Sequence, residues 1–355
     1  MKIYINGRFL TQSITGVQRF AREIVKELDN QLEGMDLIVE IILPKNSNLR
    51  ESYKNISIRQ VGNFKGHLWE QLDLPLYTKG NLLINLCNTG PLFKRKQFVV
   101  IHDAAIYKNT GTYSNKFIMW YKILYKFITR NSIKVMTVSE FSKKEISRFT
   151  KINSEEIVVI SEGREHIERI KSSNEVLEKY NLKPDNYLLA VSSMNPNKNF
   201  SCILEAIKLI PDFNVKVVIV GSENEKIFKN IGETLNSDSL LKVGNVSDEC
   251  LKGLYENTLC FIFPSFYEGF GLPPLEAMTC GAPMIVSETA SMPEVCGEAP
   301  LYFNPNDPTE LSERIRDILS CHNIEYFKDK SLRQSKNFSW KNGVKTLINN
   351  IHEVK

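Results

Sequence analysis

Several sequence features that would define a function class are missing from these 355 residues. No run approaches the roughly 20 consecutive apolar residues of a membrane-spanning helix, and the start, Met1 to Asn6, turns polar too soon for a secretory signal. We therefore expect a cytoplasmic protein. The seven cysteines form no C-x-x-C pair, so we expect reduced packing residues rather than a zinc site. The absence of G-x-G-x-x-G argues against a dinucleotide-dependent oxidoreductase.

The net charge is small, but it is unevenly distributed. The formal net charge is +4, and residues 1–165 hold 25 lysines and arginines against 16 aspartates and glutamates. The remaining residues hold 20 against 25. A basic first half suits an anionic membrane surface or a phosphate-bearing acceptor. No RNA- or DNA-binding motif accompanies the charge, so we expect no nucleic-acid partner.

Short apolar runs rich in β-favouring residues alternate with helical patterns along the chain. The run Lys2 to Ile5 is followed by a loop that ends at Gly16, and apolar residues from Val17 to Leu28 then recur at helical spacing. A strand, a glycine-bearing loop and a helix form the first unit of a doubly wound parallel sheet. Further strands are predicted at Asp36–Leu43, Ile56–Val61, Leu82–Leu86, Phe98–Ile101, Lys134–Val138, Ile157–Ile160, Tyr187–Val191, Lys216–Val220, Leu240–Val243, Leu259–Phe263 and Met284–Val286.

The length and the apolar fraction of 42% fit two well-packed domains. We predict an α/β protein with one Rossmann-like domain over residues 1–165 and a second over residues 187–335. The polar, highly charged segment 166–186 is predicted to link them. Residues 336–355 are predicted to contain a last helix.

The most specific signal is the stretch from Phe261 to Gly281, in which an apolar run, a glycine loop and a proline-marked helix start follow one another. Glycines let the backbone approach a ligand, and the free N–H groups of a helix start favour negative charge, so this stretch predicts a phosphate site. Glu268 and Glu276 would repel phosphate, and we assign them to sugar hydroxyls beside it. A diphosphate flanked by two polyols describes a nucleotide-sugar, although glutamates at this spacing, taken alone, would indicate a surface pair.

The string P-S-x-x-E-G-F-G-L-P-P-L-E-A-M, residues 264–278, resembles the E-x7-E signature of retaining glycosyltransferases with the GT-B fold, family 4 in particular. The resemblance implies two Rossmann-like domains that face each other across a cleft, with the last helix returning to the first domain. It also implies that Glu268 faces the donor sugar and that Glu276 holds the ribose. The amides of Gly269, Phe270, Gly271 and Leu272 would face the sugar and the diphosphate.

The loop after the strand Tyr187–Val191 supplies a cation for the diphosphate. We assign this role to Lys198, and we place Ser193 and Asn197 of the same loop at the donor. Similar enzymes often have E-P-R-K-N here, whereas this chain has N-P-N-K-N at residues 195–199. This chain therefore has one positive charge here where members of the family often have two, and either Arg19 or an unseen partner is left to supply the second.

The resemblance extends to three other places. The string V-V-I-H-D-A, residues 99–104, is similar to one in which the histidine faces the donor sugar, so His102 is a predicted catalytic residue; a buried structural histidine is the alternative. The loop Gly244, Asn245 and Val246 is expected to pack on the nucleobase. In the first loop, Gly16 and Arg19 are expected on the acceptor side, and a solvent-exposed arginine is the alternative for Arg19.

The expected reaction transfers a hexose from a GDP-, UDP- or dTDP-sugar to an acceptor hydroxyl. The resemblance implies retention of configuration, with the donor phosphate taking the acceptor proton. No D-x-D pair occurs in the chain, so we expect no metal and no cofactor; Lys198 and the helix start would meet the charge of the leaving diphosphate.

The acceptor is expected to be a glycan or a lipid-linked sugar of bacterial surface polysaccharide, such as lipopolysaccharide. The aromatic and basic helix predicted over residues 117–128, with Phe117, Trp120, Tyr121, Leu124 and Ile128 on one face, can either pack on its own sheet or lie at the inner membrane surface. Two other functions stay open: a nucleotide-sugar epimerase, and a catalytically silent nucleotide-sugar-binding subunit.

Overall fold

The computed structural model describes residues 1–48, 51–108, 114–191, 195–221 and 240–354 of the chain. These residues divide into two compact units. The first unit contains the described residues up to Gly163 and those from Ser339 onward, and the second contains those from Arg164 to Phe338. Each unit is built around a parallel sheet, which confirms the predicted α/β class.

Seven parallel strands form the centre of the first unit, in the order β3-β2-β1-β4-β5-β6-β7. They are β1 (Lys2–Asn6), β2 (Ile38–Pro44), β3 (Ser57–Val61), β4 (Leu82–Asn85), β5 (Gln97–Val100), β6 (Lys134–Thr137) and β7 (Ile157–Val159). Every residue of β4 and β5 is buried, as expected where helices cover both faces of a parallel sheet.

The helices of the first unit connect these strands. They are α1 (Gly16–Gln31), α2 (Gly66–Leu68), α3 (Leu74–Tyr77), α4 (Ala105–Lys108), α5 (Asn115–Asn131) and α6 (Glu140–Thr150). A 3-10 turn, Gly7–Thr11, follows β1, and a π-helical turn, Trp69–Asp73, joins α2 to α3. Helix α1 buries the face predicted from the spacing of its apolar residues, namely Phe20, Ala21, Ile24, Val25 and Leu28.

Helix α5 buries most of the predicted stripe. Leu124 and Ile128 are buried, and Trp120 and Tyr121 are half-buried, but Phe117 is exposed. Ile118 and Tyr125 are also buried, so the buried face is turned slightly from the predicted one. No helix among the described residues combines the length and the apolar composition needed to cross a membrane.

Six parallel strands form the centre of the second unit, in the order β10-β9-β8-β11-β12-β13. They are β8 (Tyr187–Val191), β9 (Lys216–Val220), β10 (Leu240–Gly244), β11 (Cys260–Phe263), β12 (Met284–Ser287) and β13 (Leu301–Phe303). The main core lies between this sheet and two helices and contains Ile203, Ile262 and Leu311.

The first two described helices of the second unit overlap the segment 166–186, which was predicted as a link. They are α7 (Glu165–Glu168), α8 (Glu175–Lys179), α9 (Phe200–Lys208), α10 (Asp248–Glu256), α11 (Leu272–Thr279), α12 (Met292–Cys296), α13 (Pro308–Leu319) and α14 (Ile324–Ser335). Helix α8 buries Val176 and Leu177, so residues 166–186 form part of the second unit rather than a bare connection.

The last helix, α15 (Trp340–Glu353), belongs to the first unit. Trp340 is fully buried, and its ring meets the ring of Phe20 edge-on at 5.8 Å. At Gly343 the helix approaches the backbone so closely that a Cβ would lie 2.5 Å from the Ser161 carbonyl oxygen. A glycine inside a helix is therefore explained here by packing.

Both sheets reverse their strand order at one point. In the first unit this point lies between β1 and β4, and in the second between β8 and β11. The connections that leave two such strands run to opposite sides of the sheet, so a crevice opens at their carboxyl ends, and ligands of doubly wound proteins bind there. The two loops at β8 and β11 are those for which the sequence predicts donor chemistry.

Candidate active site

The loops that follow β8 and β11 are tied together by backbone and side-chain hydrogen bonds. The carbonyl of Asn197 accepts from the backbone N–H of Phe266 at 2.8 Å and from the Ser265 hydroxyl at 3.0 Å. The Asn199 side chain donates to the carbonyl of Pro264 at 3.1 Å. Asn197 is buried, and these contacts of its carbonyl hold the two loops together. Ser192, Ser193 and Met194 lie outside the described residues, so the predicted role of Ser193 stays a prediction.

Lys198 and Glu268 form an ion pair across these two loops. The Lys198 Nζ donates to Glu268 Oε1 at 2.6 Å, and the side chains are only 21% and 15% exposed. The same carboxylate oxygen accepts from the Ser265 hydroxyl at 2.5 Å, and the ammonium lies 5.3 Å from the centre of the Phe263 ring. An ammonium has three N–H donors, so Lys198 can hold Glu268 and still donate to a phosphate oxygen.

The glycine loop between β11 and α11 presents backbone donors. Within the described part of the chain, the backbone N–H groups of Phe270, Gly271 and Leu272 donate to no other protein group. All three residues are buried. Buried N–H groups are costly when they lack a partner, so three in succession before a helix start are donors available to a phosphate or a sugar oxygen.

The conformation of this loop is fixed by its neighbours. The Ser291 hydroxyl donates to the carbonyls of Glu268 and Phe270 at 3.0 and 2.8 Å. Gly271, the residue before α11, has φ 110° and ψ 66°, and a Cβ at this position would lie 2.6 Å from the Met292 methyl carbon. The positive φ favours glycine here, and any larger residue would also displace the end of the Met292 side chain.

Glu276 lies inside α11 with both carboxylate oxygens engaged. Its Oε1 is 2.9 Å from Nε2 of His166, and its Oε2 accepts from the Tyr255 hydroxyl at 3.3 Å. All three side chains are buried. Each carboxylate oxygen can accept two hydrogen bonds. After the contacts with His166 and Tyr255, the Glu276 carboxylate can therefore still accept from the hydroxyls of a ribose. Sequence reasoning gave His166 no role and did not single out Tyr255, because no local motif surrounds either.

The loop predicted to contact the nucleobase lies at the end of an edge strand. Gly244 ends β10 with φ +70°, and Asn245 is exposed. Val246 is half-buried, and Ser247 then caps α10 by accepting from the N–H of Cys250 at 3.3 Å. The role of Gly244, Asn245 and Val246 toward a base stays a prediction.

The remaining predicted residues belong to the first unit. His102 follows β5 and is buried, with its Nε2 2.9 Å from the Leu86 carbonyl oxygen. A carbonyl only accepts, so Nε2 carries the proton in this contact. Burial lowers the pKa of His102 to about 4, which keeps the ring neutral near pH 7 with Nδ1 as an acceptor. Gly16 begins α1, and Arg19 lies half-buried in its first turn; the predicted roles of all three stay predictions.

Residues outside these motifs offer no metal centre in the part of the chain that the structure describes. No group of three or more histidine, cysteine, aspartate or glutamate side chains there is arranged to hold a metal ion. The seven cysteines are unpaired thiols. Burial raises the pKa of the Cys202 thiol to about 12, which makes it an unreactive packing group.

Comparisons with known proteins agree with the motif. The family profile described as glycosyl transferases group 1 matches residues 172–353. The O-antigen chain mannosyltransferase B of Escherichia coli is 35% identical over 225 residues, which cover 61% of this chain and 59% of that protein. The matched region thus spans less than two thirds of that relative.

Solved structures resemble the whole chain at low identity. The sucrose-phosphate synthase of Thermosynechococcus elongatus aligns with a TM-score of 0.77 at 16% identity, covering 99% of this chain and 98% of that one. Anabaena Alr3699/HepE in complex with UDP-glucose aligns with a TM-score of 0.74 at 14% identity, covering 99% and 100%. At these identities the likeness concerns the fold, and it confirms the predicted GT-B class for the two Rossmann-like units.

Proposed function

The chain belongs to the glycosyl transferases group 1 family, and from that premise we propose that it transfers a hexose from a nucleotide diphosphate sugar to an acceptor hydroxyl. One observation carries the proposal: Lys198 and the unpartnered N–H groups of Phe270, Gly271 and Leu272 belong to the two loops at the switch point of the second sheet. Ammonium and backbone N–H groups are the donors that stabilise a departing diphosphate.

The roles of the two glutamates follow from their surroundings. Glu268 is held by Lys198 and Ser265, which neutralises its charge in part and leaves it as an acceptor for hydroxyls of the donor sugar. Glu276, held by His166 and Tyr255, accepts from the ribose. Neither carboxylate acts as a nucleophile in this proposal. The transferred sugar keeps its anomeric configuration, and the donor phosphate takes the acceptor proton without a metal ion.

Mannose is the first sugar to test. A relative 35% identical over 225 residues is named an O-antigen chain mannosyltransferase, and another, from Salmonella typhimurium, carries a similar name at 29% identity over 237 residues. The proposed setting is therefore the assembly of a bacterial surface polysaccharide, with a glycan or lipid-linked acceptor on the cytoplasmic side of the membrane. UDP-glucose is the second donor to test, because Anabaena HepE was solved with it.

Peripheral contact with the membrane is proposed from the exposed side of α5. Met119, Ile123 and Phe127 form an apolar row there, with exposures of 63%, 43% and 44%. The next row of the helix contains exposed Lys126 and Arg130. An apolar row beside a basic row suits the interface of an anionic bilayer.

The donor site is tested by thermal unfolding with GDP-, UDP- and dTDP-sugars. A donor present at 100 times its dissociation constant should raise the free energy of unfolding by about 2.7 kcal/mol. Lys198→Ala should then lower transfer by roughly 10- to 1,000-fold, because one or two charge-assisted contacts are lost.

The control is Lys183→Ala, an exposed lysine of the same unit, which should transfer at the wild-type rate. Activity of Lys198→Ala within about threefold of wild type would remove the lysine from the mechanism.

Nucleotide release that needs an acceptor identifies a transferase. Conversion of the donor alone would identify an epimerase, and donor binding without turnover would identify a silent subunit.

A further inference from the structure

A cavity of about 290 Å³ lies where β6 and β7 begin, at the end of the first sheet that is opposite its ligand crevice. Its volume equals roughly ten water molecules by their share of the liquid. Residues from the end of α5, from the start of β6 and from the turn before β7 line it. The substrates of a doubly wound protein bind at the carboxyl ends of the strands, so a ligand of this cavity serves another purpose.

Two cations and one carboxylate line the cavity without partners of their own. Arg130, Lys151 and Glu156 are exposed, and within the described part of the chain their side chains form no ion pair and no hydrogen bond. Lys134, which begins β6 beside the cavity, is by contrast paired with Glu353 at 3.0 Å. The three lining side chains together carry a net charge of +1, which a singly charged anion would balance.

A buried hydroxyl adds a further donor. Ser132 lines the cavity and caps the end of α5, where its N–H donates to the Ile128 carbonyl at 3.0 Å. Its Oγ is buried and has no hydrogen-bond partner among the described residues. A buried hydroxyl is costly when it is left unpaired, and it can donate to an oxygen of an anion.

An uncommon backbone conformation holds Lys151 at the cavity. Lys151 follows α6 with φ 63° and ψ 24°, and its N–H donates to the Ser147 carbonyl at 2.9 Å. Six of the eight described non-glycine residues with a positive φ are asparagine or aspartate, which tolerate this region best. A lysine is strained there, and an observed strain of this kind supports a functional role for the side chain.

The exposed apolar row of α5 ends at this cavity. Met119, Ile123 and Phe127 form the row, and Arg130 lies on the same face of the helix, three positions after Phe127. Ile133, which is also exposed, lines the cavity. Cations beside exposed apolar side chains suit a molecule that has both a phosphate and acyl chains. A free phosphate would make no use of the apolar side chains.

The surrounding charges favour an anionic lipid. From Ala104 to Ser139 the sequence has six lysines and arginines and no aspartate or glutamate, and such a surface attracts anionic headgroups. The single phosphodiester charge of phosphatidylglycerol matches the net charge of the cavity, and its glycerol hydroxyls can donate to the Glu156 carboxylate. Phosphatidylserine would instead place its own carboxylate near Glu156, where the two charges repel.

We propose that this cavity binds the headgroup of phosphatidylglycerol. Arg130, Ser132 and Lys151 donate to the phosphodiester, and Glu156 accepts from the glycerol hydroxyls. The site specifies the lipid for the proposed membrane contact of α5 and rests on that contact. It does not depend on the transferase reaction, because lipid binding is measured without donor or acceptor.

Co-sedimentation of the full chain with phosphatidylcholine vesicles tests the site, with phosphatidylglycerol or phosphatidylserine added at equal mole fraction. Both added lipids carry one net negative charge, so attraction by net charge alone predicts equal binding. The headgroup site predicts binding to the phosphatidylglycerol vesicles that is about tenfold tighter. Equal binding would reject the site, and no binding to either vesicle would reject the membrane contact as well.

Inorganic phosphate distinguishes a lipid site from a phosphate site. At equal ionic strength, phosphate should release no more protein from the phosphatidylglycerol vesicles than chloride does. Release by phosphate alone would show that the cavity binds free phosphate, and it would overturn the assignment to a lipid.

Lys151→Gln connects the lipid preference to the cavity. The variant keeps most of the side-chain length and removes the charge, so the preference for phosphatidylglycerol should disappear. Lys144→Gln is the matched control, because Lys144 is an exposed lysine of α6 that does not line the cavity. It should weaken binding to both vesicles equally and leave the preference intact. The same loss of preference in both variants would reject the cavity as the site.

Glu156→Gln gives a signature that a merely structural residue would not. Without the Glu156 charge the serine carboxylate is no longer repelled, so the two lipids should bind within about threefold of each other. Glu155→Gln removes the same charge from an exposed neighbour outside the cavity and should keep the tenfold preference. An unchanged preference in Glu156→Gln would reject its contact with the headgroup.

Thermal shifts with nucleotide sugars, measured without vesicles, separate this proposal from the transferase function. A normal donor shift without any lipid preference rejects only the headgroup site. A lipid preference without any donor shift rejects only the donor site.

Discussion

The Glu276 carboxylate depends on two side chains that are distant in the sequence. His166 and Tyr255 each engage one of its oxygens, and all three groups are buried. Hydrogen bonds to a charged group contribute about 1.5 to 3 kcal/mol to stability. They also fix the orientation of the Glu276 carboxylate. At the scale of single residues, His166 is therefore expected to act on the nucleotide through Glu276.

His166→Phe should raise the dissociation constant of the donor nucleotide roughly 5- to 30-fold, because the ring volume is kept while the N–H donor is lost. His166→Gln retains an N–H donor and should restore part of the affinity. Isothermal titration calorimetry with the nucleoside diphosphate measures both. His322→Gln, at an exposed position, is the control. Wild-type affinity in the phenylalanine variant would show that Glu276 needs no such support.

Sequence reasoning reached some of these residues and missed others for a physical reason. Glu268 and Lys198 could be selected because each lies in a local string with recognisable chemistry, and the structure brings them to 2.6 Å. His166 contacts Glu276 across 110 positions, and that contact depends on how α7 packs against α11. The buried ion pair between Arg8 and Glu70 was not predicted either, because its partners are 62 positions apart and neither carries a motif.

At the scale of elements, the corner between β11 and α11 depends on one backbone conformation. Gly271→Ala should lower the free energy of unfolding by about 2 to 4 kcal/mol, because the left-handed backbone is strained for alanine and the Cβ meets Met292. It should also abolish the thermal shift caused by the donor, since the displaced loop moves the N–H groups of Phe270 and Leu272. Denaturant unfolding with and without nucleotide sugar measures both effects.

Gly281→Ala is the matched control for this corner. Gly281 also has a positive φ, +74°, but a Cβ there meets only Leu332 at ordinary contact distances from 3.4 Å. The variant should lose about 1 kcal/mol from backbone strain and keep the full donor shift. If Gly271→Ala loses no more stability than Gly281→Ala and still binds donor normally, the corner does not depend on the glycine.

The elements themselves were largely predictable from the chain. The predicted strands agree with the observed ones to within two residues at each end, because buried parallel strands are continuous apolar runs that end at polar or glycine residues. The buried face of α5 was predicted in large part, with Leu124 and Ile128 buried and only Phe117 of the predicted stripe exposed. The segment 166–186 has short helices whose few buried residues, such as Val176, give too little periodicity to detect.

At the scale of the whole molecule, the charge asymmetry and the exposed apolar row of α5 belong to the same unit. Exposed apolar rows of this kind commonly mark an interaction surface. The first unit should therefore bind vesicles that contain anionic phosphatidylglycerol and leave neutral phosphatidylcholine vesicles unbound. Raised salt should weaken the binding, because the electrostatic attraction extends over about one Debye length. Co-sedimentation of the full chain with both vesicle types measures the difference.

Two double variants determine whether α5 is the contact. Each basic side chain near an anionic surface contributes about 1 kcal/mol, so Lys126→Ala with Arg130→Ala should lower the vesicle partition coefficient roughly 30-fold. Lys183→Ala with Lys336→Ala removes the same charge from exposed positions of the second unit and should have little effect. Equal losses in the two double variants would mean that net charge alone attracts the protein to the vesicles.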